Sequence, residues 1–217
     1  MPKKDLRLIV IIGAAVGFLI QPVVDNLIRG SQTFASFIGS HELTPVIRAT
    51  VFFVFLLLAP LLLWIAHILN RVWLTIYQFA KFAAVGTLNT FINFGVLNLQ
   101  SLFTGITAGP YIPVFASVSF LASTTNSFFW NKYWTFDAQS KPEMGQTAKF
   151  YLVSLGGWAA SVGIDSFVIN YLRPVSVPPQ LWLNVGALVG VVAVLFWNFV
   201  GYKYIVFKKP DVSQVVP

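Results

Sequence analysis

Lys81-Phe82-Ala83-Ala84-Val85-Gly86 and Lys149-Phe150-Tyr151-Leu152-Val153-Ser154 open two apolar stretches that read as copies of one unit, 68 residues apart. The run Phe128-Phe129-Trp130-Asn131-Lys132-Tyr133-Trp134-Thr135-Phe136 closes the first copy. Phe199-Val200-Gly201-Tyr202-Lys203-Tyr204-Ile205-Val206-Phe207 closes the second, 71 residues further on. Each copy holds two apolar stretches, so the second carries about three extra residues in its connection. Two-span repeats sit the same way up in a bilayer, related by an axis along the membrane normal.

Composition agrees with a bilayer. Of 217 residues, 57% are hydrophobic and 10% charged, with 21 Phe, 7 Trp and 7 Tyr. A soluble fold of this size needs far more charge to cover its surface. The absence of cysteine excludes thiol catalysis, zinc–cysteine sites and iron–sulfur clusters. Two His and seven Asp plus Glu leave little for acid–base or metal chemistry. His67 and Arg71 stand one turn apart without triad or metal-ligand spacing, and no glycine-rich phosphate loop is present. Neither an enzyme, a cofactor nor a metal site is expected.

A helix crosses the hydrocarbon core in about 20 residues. Six stretches approach that length: 8–24, 49–69, 82–103, 113–130, 150–172 and 181–201. The intervening segments, 25–44 among them, read as connections. The expected fold is an all-α integral membrane protein of six transmembrane helices, the last four forming a two-fold internal repeat of helix pairs. Residues 1–70 supply two N-terminal helices, 71–208 the four-helix domain and 209–217 a tail. Lys3, Lys4 and Arg7 before the first stretch resemble a signal peptide, but Gln21-Pro22 replaces a cleavage site, favouring an uncleaved anchor. Gly13/Gly17 and Gly186/Gly190 stand at the spacing that lets helices approach closely in lipid. Eleven of the 14 basic residues fall on one side, and Arg29, Arg48 and Arg173 on the other. Both termini are therefore expected in the cytoplasm. This asymmetry accounts for the net charge of +7, and no nucleic-acid partner is implied.

Lys-Phe-x-x-Val-Gly opening one helix and Lys-x-Trp-x-Phe closing the next resemble the GtrA-like family over residues 79–207. The resemblance implies movement of a polyprenyl-phosphate-linked monosaccharide from the cytoplasmic to the outer leaflet of a bacterial cytoplasmic membrane. That lipid serves decoration of cell-surface polysaccharide or teichoic acid, and a separate polyprenyl-phosphate glycosyltransferase makes it. Two features depart from the family pattern. Residues 1–70 add two spans, and Asn126-Ser127-Phe128 differs by one position from Asn198-Phe199.

A phosphodiester head group needs fixed cations, which Lys81, Lys149, Lys132 and Lys203 supply at the expected cytoplasmic helix ends. Interfacial lysines also set topology, and Trp and Tyr form the ordinary interfacial belt. Polar groups within the spans are costly to place in hydrocarbon. Asn89, Asn93 and Gln100 lie on one stripe, and Ser119, Ser123, Thr124 and Asn126 mark the next span. Ser154, Trp158, Ser161 and Asp165 mark the fifth. With Trp130, Asn131, Trp134 and Asn198 these residues form a candidate sugar-binding groove, the alternative being interhelical hydrogen bonds. Asp165, the one carboxylate within a span, lies about 23 Å along it from Phe150. A four-span unit is small to enclose a path alone, which admits a homodimer. Two rival readings remain: a scaffold that recruits the glycosyltransferase, and a small-solute transporter.

Overall fold

In a computed structural model the described residues are 1–30, 32–40, 42–73, 75–106, 110–138, 143–172, 174 and 179–208. At 23, 26, 27, 29, 30, 32–34, 98, 101, 102, 112, 113, 116, 162, 165, 166, 169, 170 and 179–188 only the backbone is described. The architecture is all-helical. Its elements are α1 (Lys3–Leu19), α2 (Gln21–Gly30), α3 (Gln32–Ile38), α4 (Pro45–Leu69), α5 (Ile76–Thr104) and α6 (Ile112–Trp130). A π-helical turn, π1 (Asn131–Thr135), follows, then α7 (Met144–Tyr171), α8 (Pro179–Gly201) and a second π-helical turn, π2 (Tyr202–Val206).

Five of the six apolar stretches fall on single helices of 19 to 29 residues, and the first is divided between α1 and α2. Among the described residues, Pro45–Leu69 and Val189–Val206 are long and apolar enough throughout to cross a membrane by composition alone. The ends of the helices follow from local chemistry. Thr44 caps α4 by accepting from the Ile47 amide at 3.3 Å, with Pro45 in the first turn, where its missing N–H costs nothing. Gly105, at φ +71°, follows the last residue of α5 in the left-handed conformation that suits glycine.

Two expectations are corrected. Segment 25–44 was expected as a connection, but most of it is helical, in α2 and α3. Val24, Ile28, Ala35 and Leu43 gather into a small buried cluster there. These helices are amphipathic rather than uniformly apolar, so a search for spanning runs passes over them. The first stretch, expected over 8–24, breaks at Ile20. Pro22 has no N–H to continue the ladder, and the Gln21 amide instead donates to the carbonyls of Gly17 (2.8 Å) and Arg48 (3.1 Å).

The chain divides into two compact units, Met1–Thr135 and Phe136–Pro217, a boundary that falls between the sequence copies. In the first unit α1 lies against α4 along Gly13 and Gly17. A Cβ on Gly13 would sit 2.8 Å from the Phe55 carbonyl oxygen, and one on Gly17 2.9 Å from that of Phe52. The backbones therefore touch, as the glycine spacing suggested. Ile9, Ile12, Val16, Leu63, Val85, Leu88 and Trp134 form the buried core joining α1, α4, α5 and π1. In the second unit α7 and α8 pack as closely. A Cβ on Gly201 would meet the Val153 side chain at 2.5 Å, and the Trp197 indole donates to the Val153 carbonyl at 3.0 Å. Phe150 stacks on Tyr202 at 4.2 Å, and the Tyr202 hydroxyl shares a 2.6 Å hydrogen bond with Ser154. The Gly186 side of the second glycine pair lies outside the described side chains.

The same succession of helix, helix and π-turn thus recurs in both units. One hydrogen bond recurs with it: Gln78 donates to the Thr135 carbonyl at 3.2 Å, and Gln146 to that of Val206 at 3.2 Å. Gly13→Ala and Gly17→Ala should each lower the thermal midpoint of the purified protein. Gly95→Ala, whose added Cβ meets nothing within 4 Å, should leave it unchanged or slightly raised. Equal midpoints for all three would show that α1 does not depend on this contact.

Candidate functional site

The π-turns set the lysines at the ends of α6 and α8 into aromatic surroundings. Lys132 is fully buried, its Nζ 5.9 Å from the ring centres of both Phe128 and Tyr133. Lys203 repeats the arrangement 71 residues on, 5.7 Å from Phe199 and 5.5 Å from Tyr204. Cations at such distances over ring faces are held by the aromatic quadrupole. π-Turns are rare and concentrate at functional sites. Here an i→i+5 bond, Phe207 N–H to the Tyr202 carbonyl at 2.8 Å, closes the second one.

Lys81 stands in a different setting. Its Nζ lies 2.7 Å from Oδ2 of Asp5, a residue of the first turn of α1. The Tyr77 hydroxyl donates to the same oxygen at 2.7 Å, and the Trp134 indole to Oδ1 at 2.9 Å. Three donors from two elements thus converge on one carboxylate that is only 5% exposed. Lys81 also sits 4.7 Å over the Tyr77 ring and 5.6 Å from that of Trp134. Asp5 precedes the first apolar stretch, so it lies outside the hydrocarbon. Burial pushes its carboxyl up, but hydrogen bonds from Lys81, Tyr77 and Trp134, with the charge on Lys81, outweigh this and hold it below its ordinary value. Burial, then the bond to Asp5 and its charge, push the Tyr77 phenol well above its usual range. Trp130, 5.7 Å edge-to-face from Trp134, extends this cluster, which separates both tryptophans from the candidate sugar groove.

The polar stripes of α5 and α6 face one another. Asn126 donates to Asn89 Oδ1 at 2.7 Å, and Asn93 to Ser123 Oγ at 3.4 Å. Gln100 donates to Ser119 Oγ at 3.1 Å and to the Phe115 carbonyl at 3.1 Å. This is the interhelical hydrogen bonding that the sequence left as the alternative, and it pairs most of the stripe. A cavity of about 290 Å³ nevertheless opens beside it, lined by Asn89, Thr90, Asn93, Phe94, Ser123 and Thr124. The buried Asn89 Nδ2 has no hydrogen-bond partner among the described residues. An unused donor thus remains on a residue that lines the cavity.

Other expected residues lie elsewhere. Asn131 is fully buried and donates back to Ser127, at 2.9 Å to the carbonyl and 3.1 Å to the hydroxyl. Asn198 lies at the α7–α8 contact, its Oδ1 2.6 Å from where a Cβ on Gly157 would sit. Ser154 is buried and bonds to Phe150 and Tyr202, whereas Trp158, one turn further on, is exposed. Lys149 is exposed. The side chain of Asp165 lies outside the described residues. Asp5 was missed from the sequence because it sits in a basic N-terminal run that reads as a topology signal, 76 positions before Lys81. Its one sequence-level mark is that it is the sole acid in that run.

Such helices, with paired polar stripes and charged aromatic ends, define an integral membrane protein. Residues 81–207 match the family described as GtrA/DPMS, transmembrane domain, and the chain belongs to that family. It is also similar to "Uncharacterized membrane protein YngA" of Bacillus subtilis (strain 168), at 30% identity over 129 residues. That alignment covers 58% of this chain and 77% of the relative. No solved structure matches the chain.

Removing one partner of a buried ion pair costs about 3–5 kcal/mol. Asp5→Ala should therefore lower the thermal midpoint sharply at neutral pH. The Asp5 carboxyl titrates below its ordinary 3.8 when folded, so its stabilisation is complete above that pH and is lost as pH falls through the folded value. A melt series from pH 7 downward should show this loss in the wild type and not in Asp5→Ala. Parallel curves would remove Asp5 from the stability of the unit.

Proposed function

We propose that the chain translocates a polyprenyl-phosphate-linked monosaccharide from the cytoplasmic to the outer leaflet of a bacterial cytoplasmic membrane, and that it acts as a transporter, not an enzyme. The observation that carries this reading is the polar cavity on the flank of α5 and α6. Its volume, about 290 Å³, is just below the roughly 300–1,000 Å³ typical of small-ligand pockets. That suits a single sugar, whose hydroxyls find Asn89, Asn93 and Ser123 while the prenyl chain stays in lipid. Family membership and the lysine–aromatic helix ends support the same reading, since a phosphodiester loaded at the membrane surface needs cations there.

In this reading six helices span the membrane with both termini in the cytoplasm, and the two helix pairs serve as repeats about the membrane normal. A separate polyprenyl-phosphate glycosyltransferase supplies the lipid, and the product serves glycosylation of cell-surface polymer. The N-terminal helices pack on α5 through the core described above, and a homodimer completes the path.

The test reconstitutes the protein in liposomes with a short-chain polyprenyl-phosphate glucose and measures how fast the sugar reaches the opposite leaflet. Wild type should accelerate exposure. Asn93→Leu and Lys149→Gln should each slow it by about tenfold or more, the scale of a lost hydrogen bond to a charged or buried group. Folded protein that accelerates none of several sugars would favour the scaffold, and flux of a water-soluble solute without lipid would favour the small-solute transporter.

A further inference from the structure

The two copies are built alike at their closing ends, and they differ at their opening lysines. Gln78 and Gln146 make the same bond to their π-turns, and Lys132 and Lys203 sit over equivalent rings. Lys81 and Lys149 occupy equivalent positions, yet the first is enclosed and the second exposed. The difference lies in three residues. Tyr77 and Trp134, which share Asp5 with Lys81, correspond in the repeat register to Gly145 and Ile205, which offer no side-chain donor. Asp5 comes from α1, ahead of the region that matches the family. Among the described residues no carboxylate pairs with Lys149.

Lys81 Nζ, the Tyr77 hydroxyl and the Trp134 indole form an anion cradle of mixed charge and hydrogen bonding, the geometry that holds a carboxylate or a phosphate oxygen. The chain fills it with its own carboxylate. α1 cannot withdraw freely, because Gly13 and Gly17 hold it against α4 at backbone contact. Lys4 adds a 3.4 Å bond to the Tyr133 carbonyl beside the cradle. We propose that Asp5 is a built-in counter-anion closing the opening lysine of the first copy, so that of the two opening lysines Lys149 is the one left to meet the phosphate of the lipid. This assignment rests on the lipid-phosphate reading above and names the residue that meets the phosphate.

The test needs no transport. Full-length protein in detergent is treated with a water-soluble amine-reactive reagent, and labelling of Lys81 and Lys149 is followed by peptide mass spectrometry, with and without a short-chain polyprenyl phosphate. Lys149 should label about tenfold or more faster than Lys81, whose exposure requires local opening of α1. The added lipid should slow Lys149 and leave Lys81 unchanged. In Asp5→Asn the Lys81 rate should rise toward that of Lys149. Should that variant not fold, the two wild-type comparisons decide alone. Equal wild-type rates, or lipid protection of Lys81 in place of Lys149, would overturn the proposal. Slowing of Lys149 by lipid in a protein that fails the liposome assay would keep the loading site and sink the transport reading, so the two failures are distinguishable.

Discussion

Hydrocarbon offers no hydrogen-bond partner, and this constraint governs every level of the molecule. It forces the backbone into helices, which satisfy their own amides and carbonyls. It then acts on side chains. Asn126 turns to Asn89, Asn93 to Ser123, and Gln100 to Ser119 and the Phe115 carbonyl, so the polar stripe of one helix is answered by its neighbour. Where pairing is incomplete, as at Asn89 Nδ2 beside the lateral cavity, unused capacity marks the place where a polar ligand gains most.

Asp5 meets a related demand through burial within the protein. A buried carboxylate is costly unless its charge and lone pairs are met, and here one cation and two neutral donors meet it. The partners come from positions 77, 81 and 134, so a single side chain fixes α1, the start of α5 and π1 relative to one another. Such an arrangement gives weak net stabilisation over an apolar substitute but a strong penalty for mispairing. Its main effect is to specify how the N-terminal helices seat on the first unit.

What was legible in the sequence follows from the range of the interactions. Helix positions were legible because apolarity over 17 to 29 residues is a local property, and the contact of α1 with a neighbour was legible in Gly13 and Gly17. α2 and α3 were not, since their apolar residues are spaced for one face and never form a run. The aromatic closing motifs revealed the repeat but not that π-turns would swing Trp134 toward Asp5. The role of Asp5 depends on partners 72 to 129 residues away, and no periodicity carries that distance. Asn89, Asn93 and Asn126 were found because an amide in an apolar helix is conspicuous in itself.

The succession of helix, helix and π-turn occurs twice, and the two occurrences differ at their opening lysines. The features that close each pair, the Gln-to-carbonyl bond and the lysine over two rings, are internal to a copy and recur in both. Features that depend on a third element need not recur. The anion cradle is of this kind: Tyr77 and Trp134 are useful only where α1 brings a carboxylate, and their counterparts are Gly145 and Ile205. An appended helix pair thereby converts a symmetric pair of lysines into one structural cation and one open cation.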